Sequence, residues 1–268
     1  MSEPKLRVEE VSRTFPAVRR GGKSTLALQP TSLSLAESDF VCILGPSGCG
    51  KSTLLRIVAG LDRPTSGQVL LNGRLVTEPG ADRGMVFQSY TLFPWLTVLD
   101  NVCFGLRERG VGLTERRRIA RQFIARVGLS EFEGHYPKQL SGGMQQRTAI
   151  ARALANGPEI LLLDEPFGAL DNQTRALMQE LLLQIWEGER KTVLFVTHDI
   201  EEAIFLAGRV VVMSARPGRI KAEVPVTLPH PRHYTMKTTT EFSELKARLT
   251  EEIRAEAMKL MDGGAATG

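Results

Sequence analysis

Residues 45–52 combine glycines, a lysine and a serine at a spacing suited to holding the phosphates of a nucleoside triphosphate. The segment is Gly-Pro-Ser-Gly-Cys-Gly-Lys-Ser, and it directly follows the apolar run 40–44. Glycines let consecutive backbone N–H groups curl around an anion, and a helix beginning near Lys51 would add its positive end. We predict that Lys51 reaches the β- and γ-phosphates and that the Ser52 hydroxyl binds Mg²⁺. The residues predicted to bind the nucleotide here are Gly45, Pro46, Ser47, Gly48, Cys49, Gly50, Lys51, Ser52 and Thr53.

An acidic pair, Asp164 and Glu165, follows a second apolar run at 160–163. A carboxylate at the end of a parallel strand beside a phosphate loop can hold Mg²⁺ through water, which is the role predicted for Asp164. Glu165 can then orient and deprotonate the water that attacks the γ-phosphate. Such a strand end is also common in ordinary structure, but the loop upstream favours the catalytic interpretation.

A second glycine-containing helix start lies at 140–147, where the sequence is LSGGMQQR. Ser141, Gly142 and Gly143 would open a helix N-terminus, which is another phosphate-binding device. One nucleotide does not need two such cradles from one lobe. The simplest arrangement is a two-fold dimer, in which the cradle of one subunit covers the nucleotide held by the other.

Continuous apolar strands alternate with helical stretches, which predicts an α/β fold with a parallel sheet covered on both faces. From about 89 to 154 the pattern is helical. A later helix is predicted from an apolar stripe with helical spacing, formed by Phe242, Leu245, Leu249 and Ile253. We expect this stripe to pack on the core of the protein, and a partner contact is the less favoured alternative. The predicted strands are 6–11, 26–35, 40–44, 68–71, 85–87, 160–163, 193–196 and 210–213. The predicted domains are an α/β nucleotide-binding core (1–88 and 156–228), a helical lobe (89–155) and a C-terminal helical tail (229–268).

The composition is that of an ordinary soluble protein, with 42% hydrophobic and 24% charged residues among 268. Three cysteines at unrelated spacings indicate neither a zinc site nor a disulfide framework. No apolar run approaches about 18 residues and the N-terminus lacks a signal-peptide core, so we expect a cytoplasmic chain. The arginines at 116–118 favour a solvated helix face over a lipid contact, and we expect no nucleic-acid partner.

With the loop at 45–52 and the Asp164–Glu165 pair, the 140–147 segment resembles the signature motif of ABC transporter ATP-binding subunits. The resemblance covers nearly the whole chain; the motif is LSGGM here, where the family more often has Gln at the fifth position. It implies a P-loop ATPase core with a parallel sheet, a small antiparallel β part and an inserted helical lobe. It also implies that ATP and Mg²⁺ are the cofactors and that the chain hydrolyses ATP.

Further positions match the family pattern residue by residue. Gln88 resembles the Q-loop glutamine that reaches toward Mg²⁺ and the attacking water. Asp171, in Ala-Leu-Asp, resembles the D-loop that runs along the dimer interface. His198 follows the 193–196 strand and resembles the switch histidine that touches the γ-phosphate. Phe15 is the counterpart of the aromatic residue that stacks on adenine.

The segment 83–102 resembles the nitrate, sulfonate and taurine branch of bacterial importers. The resemblance implies a homodimer or a paired ATPase subunit, peripheral on the cytoplasmic face of the inner membrane. It also implies a transmembrane permease docked at 88–102 and, indirectly, a solute-binding protein. The alternative is that Phe93 and Trp95 fill the lobe's own core.

A cytoplasmic, non-transport ABC ATPase of an assembly or regulatory complex is the second interpretation. Chromosome ATPases of the same head type carry a long coiled coil between the two halves of the site, and Lys51 and Ser141 are only 90 residues apart. A translation factor would carry two nucleotide cassettes in tandem, and this chain has one.

Overall fold

The computed structural model describes residues 3–17, 22 and 24–264, with ten strands and seven α-helices in these ranges. The strands are β1 (Leu6–Phe15), β2 (Thr25–Leu35), β3 (Phe40–Leu44), β4 (Ser66–Leu71), β5 (Arg74–Leu75), β6 (Arg83–Val86), β7 (Ile160–Asp164), β8 (Thr192–Thr197), β9 (Arg209–Met213) and β10 (Ile220–Pro225). The helices are α1 (Lys51–Val58), α2 (Val98–Glu108), α3 (Leu113–Arg126), α4 (Gly142–Ala155), α5 (Asn172–Glu189), α6 (Ile200–Leu206) and α7 (Thr240–Gly264). The chain divides into a terminal unit, Met1–Gly80 with Thr192–Gly268, and a central unit, Ala81–Lys191.

The terminal unit contains a small antiparallel sheet with the strand order β2-β1-β4-β5. Leu6 and Val8 of β1 are buried while Arg7 between them is not, as the two-residue period of a strand requires. The predicted strands at 6–11, 26–35 and 68–71 are confirmed, with longer ends. The edge strand β5 is missed, because its two residues are exposed and carry no apolar pattern.

A second set of strands in the terminal unit has β3 between β8 and β9, both parallel to it. All five residues of β3 are buried, as expected for a parallel strand covered on both faces. At its end, Leu44 pairs with Thr197 of β8 and with Val212 of β9. The edge strand β10, antiparallel to β9, is also missed, because Val224 is its one buried residue.

In the central unit, β6 and β7 pair in parallel, and α2, α3 and α4 share an apolar core. The helical prediction over 89–154 is wrong at 89–97, which is irregular backbone. Thr97 has extended backbone and accepts a hydrogen bond from the Asp100 amide, so α2 begins only at Val98. The 18-residue helix α5 was not predicted from the sequence.

The C-terminal helix α7 buries Phe242 and Leu249, and half-buries Leu245 and Ile253. The prediction that this stripe packs against the protein is therefore confirmed. Residues 265–268 of the predicted tail lie outside the described residues. Among the helices in the described ranges, none has the length and apolar character needed to cross a membrane. The predicted α/β fold class, with parallel and antiparallel parts, is confirmed.

Candidate functional site

The predicted phosphate loop connects β3 to α1 in the terminal unit. Gly48 and Gly50 have φ angles of 74° and 98°, in the left-handed region where a side chain is strained. Gly50 caps α1, and a Cβ there would also lie 3.0 Å from the Ala27 carbonyl oxygen. Ser47 and Gly48 are exposed, so the tip of the loop is open to a ligand.

Lys51 is folded back into its own loop. Its side chain is only 4% exposed, and Nζ donates to the carbonyl oxygens of Gly45 at 2.8 Å and Pro46 at 3.0 Å. These bonds hold the ammonium at the mouth of the loop, where a phosphate oxygen can replace a carbonyl as its acceptor.

His198 lies at the same end of the sheet as the phosphate loop. Leu44 and Thr197 are register partners in the parallel pair β3–β8. Gly45 and His198, the next residue on each strand, therefore leave the sheet side by side. The His198 side chain is exposed, which suits a group that contacts a bound phosphate.

The acidic pair of the central unit follows the same geometric rule. Val86 and Leu163 are register partners in β6–β7, so Gln88 and Glu165 follow neighbouring strand ends. Asp164 is 5% exposed, whereas Glu165 has a φ of 43° and is half-buried. Gln88 Nε2 donates to Glu165 Oε2 in a long hydrogen bond of 3.5 Å. The structure thus brings together the predicted base and the predicted Q-loop glutamine.

The signature segment opens α4, as predicted. Ser141 is exposed, has extended backbone, and caps the helix by accepting from the Met144 amide at 3.3 Å. A Cβ on buried Gly143 would lie 2.7 Å from Thr174 Cγ2, so a larger residue would collide with α5. Close approach of α5 therefore explains why this position is glycine.

Asp171 has a structural role that the sequence analysis missed. It caps α5, accepting from the amides of Gln173 and Thr174 and from the Thr174 hydroxyl at 2.7 Å. These bonds, the one from the Thr174 amide first, hold the pKa of Asp171 below its usual value. An Asp followed at once by a helical stretch is the signal that could have revealed it.

The predicted permease segment rests on two polar side chains that sequence reasoning also missed. Fully buried Asn101 accepts from the Phe93 amide and donates to the carbonyls of Phe93 and Leu96. Arg152 of α4 donates to the carbonyl oxygens of Thr91 at 2.8 Å and Tyr90 at 3.3 Å. Burial lowers the pKa of Arg152. An otherwise irregular segment is thereby fixed to α2 and α4.

The two aromatic residues of this segment differ. Phe93 is half-buried, and its ring centroid lies 4.3 Å from that of Phe104, which is also half-buried. Trp95 is 70% exposed. The core-filling alternative is therefore wrong for Trp95, whereas Phe93 packs on a neighbouring ring of the lobe.

Phe15, predicted to stack on adenine, ends β1 and is 37% exposed. The Arg13 guanidinium lies 4.6 Å from the centroid of its ring. One face of the ring is thus occupied by a cation, and stacking on a base would use the other face.

A parallel sheet, a glycine-rich phosphate loop and an acidic strand end define a nucleotide-hydrolysing P-loop protein. A family model described as ABC transporter matches residues 28–168. An uncharacterised ABC transporter ATP-binding protein of Methanocaldococcus jannaschii is 54% identical over 255 residues, 95% of this chain and 93% of that protein. The chain belongs to the ABC transporter family, as the signature motif indicated, and it binds and hydrolyses ATP.

Relatives with named cargo are similar along their whole length. The nitrate import ATP-binding protein of Synechocystis is 48% identical, covering 94% of this chain and 99% of that protein. The taurine import ATP-binding protein of Rhizobium johnstonii is 49% identical, with 93% and 95% covered. The resemblance to this branch is therefore confirmed.

Among solved structures, the ATP-binding cassette MJ0796, a dimer in a post-hydrolysis state bound to ADP and Pi, superposes with a TM-score of 0.73. It is 37% identical, and the match covers 84% of this chain and all of that one. The cassette fold of the chain is thus established by a neighbour that has been seen with its hydrolysis products.

Proposed function

We propose that the chain is the ATP-hydrolysing subunit of an importer for nitrate, a sulfonate, taurine or a similar small solute. The observation that carries the proposal is near-full-length identity of 48% and 49% to nitrate and taurine import subunits. The loop, the acidic pair and the signature segment are all present on the same chain. The cargo would not touch this subunit, so its identity is set elsewhere in the transporter.

In the proposed reaction, the phosphates are bound by the Lys51 side chain and by the backbone N–H groups of residues 45–53, except that of Pro46, which has none. Glu165 orients and deprotonates the attacking water, and Gln88 holds the Glu165 carboxylate in position through the 3.5 Å hydrogen bond. His198 contacts the γ-phosphate as charge develops on it. Ser52, Asp164 and Gln88 carry the hard oxygen ligands that suit Mg²⁺, which when bound would neutralise phosphate charge.

We also propose that two copies, or this chain and a paired ATPase subunit, close around two nucleotides. The exposed Ser141 with Gly142 and Gly143 would cover the nucleotide of the facing subunit, and Asp171 would lie along that interface. The dimeric structure of MJ0796, bound to ADP and Pi, supports this arrangement.

The proposed membrane partner is a permease that contacts residues 88–102. An exposed Trp95 on a segment fixed by Asn101 and Arg152 is a suitable contact for a short cytoplasmic helix. A solute-binding protein would act through the permease. The subunit would then lie on the cytoplasmic face of the inner membrane as a peripheral protein.

An affinity pulldown of tagged Glu165→Gln protein from native membranes, with ATP present, tests the proposal. The variant should trap the closed dimer, because it keeps nucleotide binding and lacks the base. Recovery of a multi-span permease is the expected result, and the neighbouring genes of that permease would narrow the cargo. Recovery of soluble partners alone would instead support an assembly or regulatory ATPase.

A further inference from the structure

The turn between β9 and β10, residues 214–219, is hydrogen-bonded to the terminal unit's small antiparallel sheet. Its ends are joined by a hydrogen bond from the Ser214 amide to the Arg219 carbonyl at 2.9 Å. Gly218 donates to the Ala27 carbonyl at 3.0 Å and accepts from the Gln29 amide at 2.8 Å. The turn is therefore fixed to β2 by backbone bonds on both sides of Gly218.

This turn contacts the back of the phosphate loop. Arg216 Nε donates to the Gly48 carbonyl oxygen at 3.2 Å. A Cβ on Gly218 would overlap the Cys49 carbonyl oxygen, so the two backbones touch. Two consecutive loop carbonyls thus face the turn.

Because the trans peptide unit is planar, the contacts of the Gly48 and Cys49 carbonyls also fix the direction of the amides that follow them. In each peptide unit the C=O and the following N–H point in opposite directions. With the carbonyls of Gly48 and Cys49 on the turn, the amides of Cys49 and Gly50 are directed away from it. Amides of this loop are the groups that would surround a phosphate.

The C-terminal helix α7 holds the same turn from its other side. The Glu256 carboxylate, 2% exposed, accepts from the Ala215 amide at 3.0 Å. Lys221 Nζ, on β10, lies 3.3 Å from Glu256 and 2.9 Å from Glu252. Ala215 and Arg216 are neighbours, so α7 is one residue away from the side chain that contacts the phosphate loop.

We propose that Arg216 is a positioning residue for the phosphate loop, and that α7 acts on nucleotide affinity through Glu256, Ala215 and Arg216. The inference rests on the proposed role of residues 45–53. The proposal assigns the C-terminal helix α7 a role in ATP binding that no motif in the sequence of α7 predicts.

Nucleotide affinity of the full-length chain tests the first half. Arg216→Ala should weaken ATP binding about 5–20-fold, at or below the lower end of the range for a hydrogen bond from a charged donor, because this bond is exposed. KM should rise by a similar factor while kcat falls less, and Arg216→Lys should recover part of the affinity. The matched control is Arg219→Ala, an exposed arginine of the same turn, which should bind ATP as the wild type does. An Arg216→Ala affinity within twofold of wild type would overturn the assignment.

A double-mutant cycle tests the second half. Glu256→Ala should weaken ATP binding about 3–10-fold. The Arg216→Ala/Glu256→Ala double variant should bind no more weakly than Arg216→Ala alone, because both changes interrupt one path. Glu256→Gln keeps an oxygen for the Ala215 amide and should largely restore affinity. Additive losses would show that Glu256 does not act through Arg216.

Hydrogen exchange of the wild-type protein tests the same link without any variant, so its result does not depend on whether a variant folds. Added ATP should slow exchange at 45–53, at 214–219 and in the part of α7 around Glu256. Slowing of exchange that is confined to 45–53 would overturn the link to α7.

The Lys51→Ala variant distinguishes a failure of the proposed ATP site from a failure of the inference about Arg216 and α7. Retained ATP affinity in that variant would reject residues 45–53 as the phosphate-binding loop. Lost affinity there, with unchanged affinity in Arg216→Ala, would reject only this inference.

Discussion

Gln88 and Glu165 are 77 positions apart, and the Gln88 side-chain amide donates to the Glu165 carboxylate across a distance of 3.5 Å. Parallel pairing of β6 with β7 brings them together, since Val86 and Leu163 are in register two residues before each. The bond links the proposed catalytic base to the first residue of the proposed permease segment. A change in the position of Gln88 would therefore change the orientation of Glu165.

Replacement of the proposed base should separate chemistry from binding. Glu165→Gln should lower ATP turnover roughly 10²–10⁴-fold, the usual contribution of a general base. ATP affinity should be retained, because the change adds no bulk. Phosphate release and equilibrium nucleotide binding would be measured on the same preparation. Turnover near the wild-type level would rule out Glu165 as the base.

Removal of the Gln88 side chain should affect turnover less than removal of the base. Gln88→Ala leaves the Glu165 carboxylate without its orienting donor, and we expect turnover to fall by about tenfold. Glu165→Gln/Gln88→Ala should be slower than Glu165→Gln alone by much less than tenfold, because the orienting role of Gln88 needs Glu165 while its proposed Mg²⁺ contact does not. A full tenfold further loss in the double variant would show that Gln88 does not act through Glu165.

The close approach of Gly143 to Thr174 predicts that a side chain added at Gly143 destabilises the protein and that a smaller residue at Thr174 compensates. Gly143→Ala places a methyl group against Thr174 Cγ2 and should cost about 1–3 kcal/mol of stability. Thr174→Ser removes that methyl group and keeps the hydroxyl that bonds to Asp171, so Gly143→Ala/Thr174→Ser should recover most of the loss. Urea denaturation of the three variants would test this. Failure of the second change to help would mean that Gly143 is limited by something other than Thr174.

Trp95 and Phe93 should respond differently to alanine. Trp95→Ala should leave the thermal midpoint and the ATP turnover of the isolated subunit unchanged, since the side chain is 70% exposed. It should abolish permease recovery in the pulldown. Phe93→Ala, the matched control, should lower stability by about 1–2 kcal/mol because its ring packs on Phe104. Undiminished recovery with Trp95→Ala would move the permease contact elsewhere.

The cap at Asp171 predicts a pH-dependent contribution to stability. Its pKa is lowered in the folded state by the Thr174 amide and hydroxyl, so the contribution is complete above the unfolded pKa of about 3.9. It is lost as pH falls through the lower folded value. The gap in urea midpoint between wild type and Asp171→Ala should therefore narrow as pH is lowered from 7 toward 3. The gap between Asp171→Asn and Asp171→Ala should not change, because the amide oxygen does not titrate there.

Local patterns predicted the phosphate loop, the buried strands and the α7 stripe, because each depends on residues close together in the chain. The edge strands β5 and β10 were missed because they bury almost nothing. The 89–97 stretch, included in the helical prediction over 89–154, is irregular instead. Its irregular backbone depends on the Thr97 cap and on Asn101, whose buried amide has no periodic signature.

The contacts of the candidate site that could not be predicted from the sequence are those between residues far apart in the chain. The Pro-Gly pair at 217–218 marks a turn in the sequence. Nothing local indicates that this turn lies against Gly48, because the two segments are far apart in the chain and are brought together by tertiary contacts such as the pairing of β3 with β9. The same holds for Arg152, which contacts a segment 61 positions earlier.

Because Arg152 donates a hydrogen bond to the Thr91 carbonyl oxygen, α4 connects the signature segment at its start to the proposed permease segment. Ser141, at the start of this helix, and Arg152 are 11 residues apart, which is about 16 Å along an α-helix. Because α4 is one continuous hydrogen-bonded helix, a displacement at Ser141 can be transmitted along it to the backbone of Tyr90 and Thr91, which Arg152 contacts. In the proposed transporter, closure over a nucleotide would by this route move the segment that carries Trp95.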